Sequence, residues 1–111
     1  MKMKRTALSL LLLAGMTISA PAFAADPIKV TLQNHKFTPS EIRVKANTPS
    51  VIALTNKDAT AEEFDSTALK VEKVVAGNSS GNIRIRALAP GRYPFVGEYH
   101  ADTAKGVVVA E

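Results

Sequence analysis

Leu88 to Ala110 reads LAPGRYPFVGEYHADTAKGVVVA, and the fold is decided in these residues. Ala89-Pro90-Gly91 is a tight turn, since Pro presets its own backbone and Gly accepts conformations other residues resist. Arg92 to Val96 then reads as a strand. Glu98, Tyr99, His100 and Asp102 follow in a polar loop, and Gly106 to Ala110 is a second, apolar strand that closes the domain.

Working back toward the N-terminus, the same grammar repeats. Asn82 to Leu88 alternates apolar and polar residues, and the polar run Ala76 to Gly81 precedes it as the clearest loop. Ile28-Lys29-Val30-Thr31-Leu32 and Ile42-Arg43-Val44-Lys45 alternate too, as half-buried strands do. Between them Phe37-Thr38-Pro39-Ser40 is expected to turn the chain, and Asn47-Thr48-Pro49 to turn it again. Val51 to Thr55 is a more continuously apolar strand, ended by Asn56-Lys57-Asp58. Glu63 to Ser66 and Leu69 to Val75 complete the set, while Asp58 to Glu63 offers one helical turn at most. Seven or eight short strands about ten residues apart predict an all-β antiparallel Greek-key sandwich or barrel.

The first 24 residues stand apart from this pattern. Lys2, Lys4 and Arg5 precede the apolar run Ala7 to Met16, and Ala22-Phe23-Ala24 supplies a small-x-small cleavage triplet. That is the order of a secretory signal peptide, predicting cleavage after Ala24, a domain over residues 25–111, and secretion without a direct membrane anchor. Of the 111 residues, 87 would remain; three of fourteen basic side chains leave with the leader, so eleven face ten acidic ones. The overall charge of +4 is thus mostly the leader's, and no basic footprint for nucleic acid remains. With no cysteine in the chain, disulfide frameworks, thiolate metal sites and Cys nucleophiles are excluded. A Ser/His/Asp geometry cannot be inferred from two histidines in separate loops, so a hydrolase finds no support.

Acidic and imidazole side chains gather in two places. Asp58, Glu62, Glu63 and Asp65 crowd the connection after Val51 to Thr55, and Glu98, His100 and Asp102 occupy the loop before the last strand. Carboxylates and neutral imidazoles are ligands for hard and borderline cations, so loops that meet at one end of a sandwich would build an open metal site. The plainer reading makes Glu62 and Asp65 solvated charges balancing Lys57, Lys70 and Lys73, Glu98-x-His100 a surface hydrogen-bonded pair, and His35 an exposed loop residue. In an extended segment Glu98 and His100 would point the same way.

The order Phe37-Thr38-Pro39, Ile42-Arg43-Val44, Asn47-Thr48-Pro49, Asn56-Lys57-Asp58, Glu63-Phe64, Pro90-Gly91-Arg92-Tyr93-Pro94-Phe95, His100 and Gly106-Val107-Val108-Val109 resembles a cupredoxin domain. The resemblance implies a β-sandwich with a metal site at the end formed by its last loops. It also marks departures: the place of the blue-copper cysteine reads Gly97, the methionine's place is near Lys105, and one copper histidine gives way to Glu62 or Glu63. A blue-copper centre cannot form without the thiolate, whereas iron, or copper(II) in a non-blue geometry, suits what remains.

More narrowly, Glu62-Glu63-Phe64-Asp65-Ser66 with Glu72-Lys73-Val74, and Gly97-Glu98-Tyr99-His100 with Asp102-Thr103-Ala104-Lys105-Gly106, resemble small periplasmic cupredoxin-like proteins that accompany bacterial high-affinity iron permeases. That resemblance implies binding of ferrous iron, copper or both, with a proposed oxidation step before transport. It implies a periplasmic location for the secreted domain and makes periplasmic iron-uptake proteins and an inner-membrane iron permease the expected partners. Glu63, Glu98 and His100 are the leading ligand candidates it offers, with Glu62, Asp65, Glu72, Asp102 and His35 behind them. The protein is expected to be a carrier or accessory component rather than an enzyme. A copper carrier, and a metal-free sandwich that binds a protein partner, are the alternatives.

Overall fold

The computed structural model describes residues 26–111, so the predicted leader and its cleavage site lie outside the described residues. Nine strands follow in order: β1 (Ile28–Gln33), β2 (Lys36–Thr38), β3 (Glu41–Val44), β4 (Ser50–Asn56), β5 (Glu62–Ser66), β6 (Val71–Val75), β7 (Ser79–Ile85), β8 (Gly91–Gly97) and β9 (Lys105–Ala110). A single 3₁₀ turn, Glu98–His100, is the only helical piece among the described residues. The strands form two sheets, ordered β2-β1-β4-β7 and β3-β9-β8-β5-β6. The all-β sandwich expected from the alternation is therefore present.

Three details differ from the sequence expectation. Phe37-Thr38, read as a turn, belongs to β2, which pairs antiparallel with β1 so that Phe37 faces Leu32. The loop expected over Ala76 to Gly81 is shorter, because β7 begins at Ser79 and pairs with β4 as far as Asn56. The sheets are also mixed rather than antiparallel: β1 runs parallel to β4, and β3 parallel to β9. Alternation tells which face a side chain takes, but it carries no information about a neighbouring strand's direction.

Period-two burial builds the core between the sheets. Val30 and Leu32 of β1, Ile52 and Leu54 of β4, and Ile83 and Ile85 of β7 face Ile42, Val44, Phe64, Phe95 and Val108 of the other sheet's strands. At its centre Phe64 stacks on Phe95 at 4.5 Å between ring centroids, and Phe37 meets both edge-on at 6.1 and 5.1 Å. Each ring removed from water contributes about 1.5–3 kcal/mol, and the edge-to-face geometry adds to that. Gly106 admits Phe95 to this packing: a Cβ there would lie 2.2 Å from the ring. Tyr93 ties the start of β8 to the preceding turn, its hydroxyl donating to the Ala89 carbonyl at 2.7 Å.

Three connections converge at one end of the sandwich. Asn34 and His35, with φ of 54° and 57°, form the two-residue turn between β1 and β2. Residues 57–61 link β4 to β5, and residues 98–104 link β8 to β9. Asp58 joins the first two by accepting the backbone N–H groups of Asn34 and His35 at 2.8 and 2.9 Å.

Candidate metal centre

Glu62 opens β5 and points inward, with 1% of its surface exposed. A buried carboxylate is costly unless every oxygen finds donors. Here Oε1 accepts the N–H groups of Tyr99 at 2.9 Å and Glu63 at 3.1 Å, while Oε2 lies 2.5 Å from Nδ1 of His100. Gly97 makes the space: a Cβ on it would come within 2.7 Å of both the Glu62 carboxyl carbon and the Ala104 methyl. The loop that carries His100 is closed by backbone bonds from Gly97 N to the Ala104 carbonyl, and from Thr103 and Ala104 N to the His100 carbonyl. Fixing Nδ1 against Glu62 leaves Nε2 as the ring nitrogen free to serve a ligand.

His35 covers the other side of His100. The two imidazoles stack with centroids 3.5 Å apart and planes inclined by 12°. His35 Nε2 stands 3.9 Å from Asp58 Oδ2, with 42% of its side chain exposed. Asp58 is itself held by Asn56 Oδ1, which accepts its N–H at 3.0 Å, and Asn56 is anchored through Nδ2 to the carbonyls of Thr60, Val75 and Ala76. The His35 backbone N–H is the chief cause holding the Asp58 carboxyl below the ordinary carboxylate range. The Asn34 N–H and both imidazoles act in the same sense, against partial desolvation.

A second donor set lies on the outer face of the same strand. Glu63 and Asp65 point outward from β5, and Asp65 faces Glu72 across the β5–β6 ladder. One carboxylate oxygen of each of the three lies within 4.8 Å of the others. Glu98 joins them from the start of the 3₁₀ turn after β8, and its carboxyl is held above the ordinary range chiefly by Asp65, with Glu63 and Glu72 adding repulsion. Among the described residues, the ion pairs are those of Arg43, Arg92, His35 and His100, and none reaches this cluster. Like charges placed opposite one another on a sheet are destabilising, so this arrangement costs stability until something cationic offsets it.

The grouping of Glu63, Glu98 and His100 into one site is not what the fold builds. Glu62 and Glu63 are consecutive in a strand and take opposite faces, so Glu62 meets His100 while Glu63 joins Asp65, Glu72 and Glu98. Glu98 and His100 do not point the same way either, because residues 98–100 form a 3₁₀ turn. Two residues there are rotated by roughly 240° rather than a full turn. Glu62, read in one alternative as a solvated charge, is buried. Asp102 is exposed on the following turn, beside an open cup it shares with Tyr99 and His100. His35 is half-exposed as a loop residue, yet it is packed on His100. Asp58 stands among the acids the sequence groups here, but its grip on the β1–β2 turn and the support it takes from Asn56 have no sequence signal beyond an Asn-x-Asp turn at the end of a strand.

The cupredoxin-like domain family matches residues 6–110. An uncharacterized protein of Rickettsia prowazekii is 39% identical over 82 residues, covering 74% of this chain, which spans 66% of that relative's length. Among solved structures, the metal-binding domain of the Streptococcus pneumoniae D39 Cu(I)-exporting P-type ATPase, determined with Cu(I), is similar. It superposes with a TM-score of 0.65 at 15% identity, over 77% of this chain and 84% of that one. Amicyanin from Paracoccus versutus gives 0.61 at 15% identity, over 81% and 86%. At such identities these two speak for the shared fold. With a family match spanning nearly its whole length and a two-sheet fold shared with amicyanin, the chain belongs to the cupredoxin-like domain family.

Proposed function

We propose that this protein binds ferrous iron, copper(II) or both in the periplasm and serves iron uptake as a carrier or accessory component. The observation that carries the reading is the pair of donor sets on opposite faces of β5. On the Glu62 side, at the loop end of the sandwich, are His100, fixed by Glu62, and His35; on the other face are Glu63, Asp65, Glu72 and Glu98. A blue-copper centre does not fit: the chain has no cysteine, and the direction in which a side chain at position 97 would project is filled by the Glu62 carboxylate. Imidazole with a carboxylate behind it fits copper(II), and the carboxylate cluster fits a hard cation such as iron.

Anionic oxygen donors favour ferric over ferrous iron, so iron cargo held by the outer cluster would give up an electron more readily than in water. The resemblance to permease-associated cupredoxin-like proteins supports the iron-uptake role, and the predicted leader supports the periplasmic location. The expected partners remain periplasmic iron-uptake proteins and an inner-membrane permease.

Calorimetric titration of the protein with Fe²⁺ without oxygen, and with Cu²⁺ in parallel, tests the reading. Stoichiometric Fe²⁺ binding that is lost when Glu63 and Asp65 are changed to Gln and Asn, but kept in His100→Ala, is expected. Absence of binding by either ion would refute it. A copper carrier is the second reading, favoured by the imidazole pair, and it predicts Cu²⁺ binding with no measurable Fe²⁺ binding. Handling of Cu(I) is disfavoured, because Met1, Met3 and Met16 all lie in the predicted leader and no thiol exists.

A further inference from the structure

The stacked imidazoles raise a geometric problem. A ring nitrogen binds a metal along its lone pair, in the plane of its own ring, at about 2.0–2.1 Å for a zinc-like ion. Rings 3.5 Å apart and inclined by 12° have planes that do not meet within bonding reach. One ion therefore cannot sit in the plane of both rings as they stand. His100 cannot easily turn, because Nδ1 is engaged by Glu62 and its backbone carbonyl accepts the N–H groups of Thr103 and Ala104. His35 is differently held. Its backbone is pinned by the bonds from Asn34 N and His35 N to Asp58, but its ring has only the stack and a 3.9 Å approach to Asp58.

We infer that His35 is a movable second imidazole: it caps His100 in the metal-free protein and swings out of the stack to bind the same ion as His100 Nε2. The inference rests on the reading that His100 is a metal ligand, and it adds the closed form, the open form and the part that moves. Because Asp58 grips the backbone and not the ring, the change needs only side-chain rotation and leaves the β1–β2 turn in place. His tolerates the positive φ of 57° at this position better than most residues, which keeps an imidazole at the tip of a two-residue turn at little cost. Neutral imidazoles favour copper(II) and similar borderline ions, so the opened pair would select these over ferric iron.

The test uses Cu²⁺ as the probe and counts coordinated imidazoles by pulsed electron paramagnetic resonance. Wild type, His35→Asn and His35→Phe are compared, with His100→Phe as the reference for the site itself. Asn accepts positive φ and keeps the turn; Phe keeps a ring over His100 but offers no nitrogen. In the metal-free protein, the ring protons of His100 should be displaced upfield by His35 and return toward ordinary values in His35→Asn, which reads the stack without any metal. With Cu²⁺, two imidazoles are expected in wild type and one in either His35 variant, with melting temperatures of the metal-free proteins showing that all are folded. One imidazole in wild type, unchanged in the His35 variants and lost in His100→Phe, would overturn the inference and leave the His100 site standing. No imidazole in wild type would overturn both.

Discussion

Replacing Glu62 by Gln removes a charge from the centre of the inner site while keeping its shape. The carboxylate accepts three bonds, from Tyr99 N, Glu63 N and His100 Nδ1. Hydrogen bonds to a charged group are worth about 1.5–3 kcal/mol and neutral ones about 0.5–1.5, so each bond weakens by about 1 kcal/mol. Part is returned, since an amide is cheaper to bury than a carboxylate. A net loss of about 1–3 kcal/mol follows, which for a domain of this size lowers the melting temperature by about 5–20 °C. The more diagnostic effect falls on His100. The amide oxygen must face the two backbone N–H groups, which turns its NH₂ toward the ring. The neutral imidazole must then accept at Nδ1 and carry its proton on Nε2, the nitrogen that wild type keeps free. Nitrogen-15 spectra of the imidazole read this tautomer directly, and Cu²⁺ affinity should fall by about 10–100-fold. An unchanged tautomer, with the melting temperature within about 1 °C of wild type, would refute the assigned role of Glu62.

Other substitutions probe the rest of the arrangement. Gly97→Ala drives a methyl into the Glu62 carboxyl and the Ala104 side chain, and should cost about 1–3 kcal/mol in denaturant unfolding while weakening Cu²⁺ binding. Phe64→Ala opens the stack with Phe95 and should cost about 3–5 kcal/mol. Because the folded Asp58 carboxyl is held below its unfolded value of about 3.9, its contribution is fully present above about pH 4 and lost as pH falls through the lower folded value. Asp58→Asn should therefore destabilise at neutral pH, and its melting curve should approach that of wild type in acid. Glu98 has the opposite sign: its folded value is raised, so a penalty grows as pH rises from the unfolded value and is complete above the folded one. Glu98→Gln should raise the melting temperature of the metal-free protein at pH 7 and leave it unchanged where Glu98 is already protonated.

Much of the fold was legible because most of its strands keep a period of two, β6 and β9 being the exceptions. Val30 and Leu32, Ile83 and Ile85, and Ile42 and Val44 announce their faces in the sequence, and the turns carry Pro, Gly and Asn where they are needed. Phe37 was not legible as a strand residue, since Pro39 and the short run around it read as a turn. Its burial is decided by pairing with Leu32 across β1. The parallel pairings were equally hidden, because they depend on strands far apart in sequence.

The candidate site was legible in composition but not in grouping. Every acid and both histidines could be named, yet their sorting depended on two local facts. Consecutive residues Glu62 and Glu63 part company because both lie in β5, where neighbours take opposite faces, whereas the strand as read from the sequence begins only at Glu63. Glu98 and His100 part because the chain turns in a 3₁₀ helix where an extended segment was expected. The stack of His35 on His100 has no sequence signal, as 65 residues separate them and only the shared end of the sandwich brings them together.

Anomalous diffraction from crystals of the protein loaded with Fe²⁺ without oxygen, and separately with Cu²⁺, would locate each ion against β5. An iron peak is expected among Glu63, Asp65, Glu72 and Glu98 and a copper peak at His100 Nε2, on opposite faces of β5. No peak at either place, or both ions at a position remote from β5, would contradict this placement.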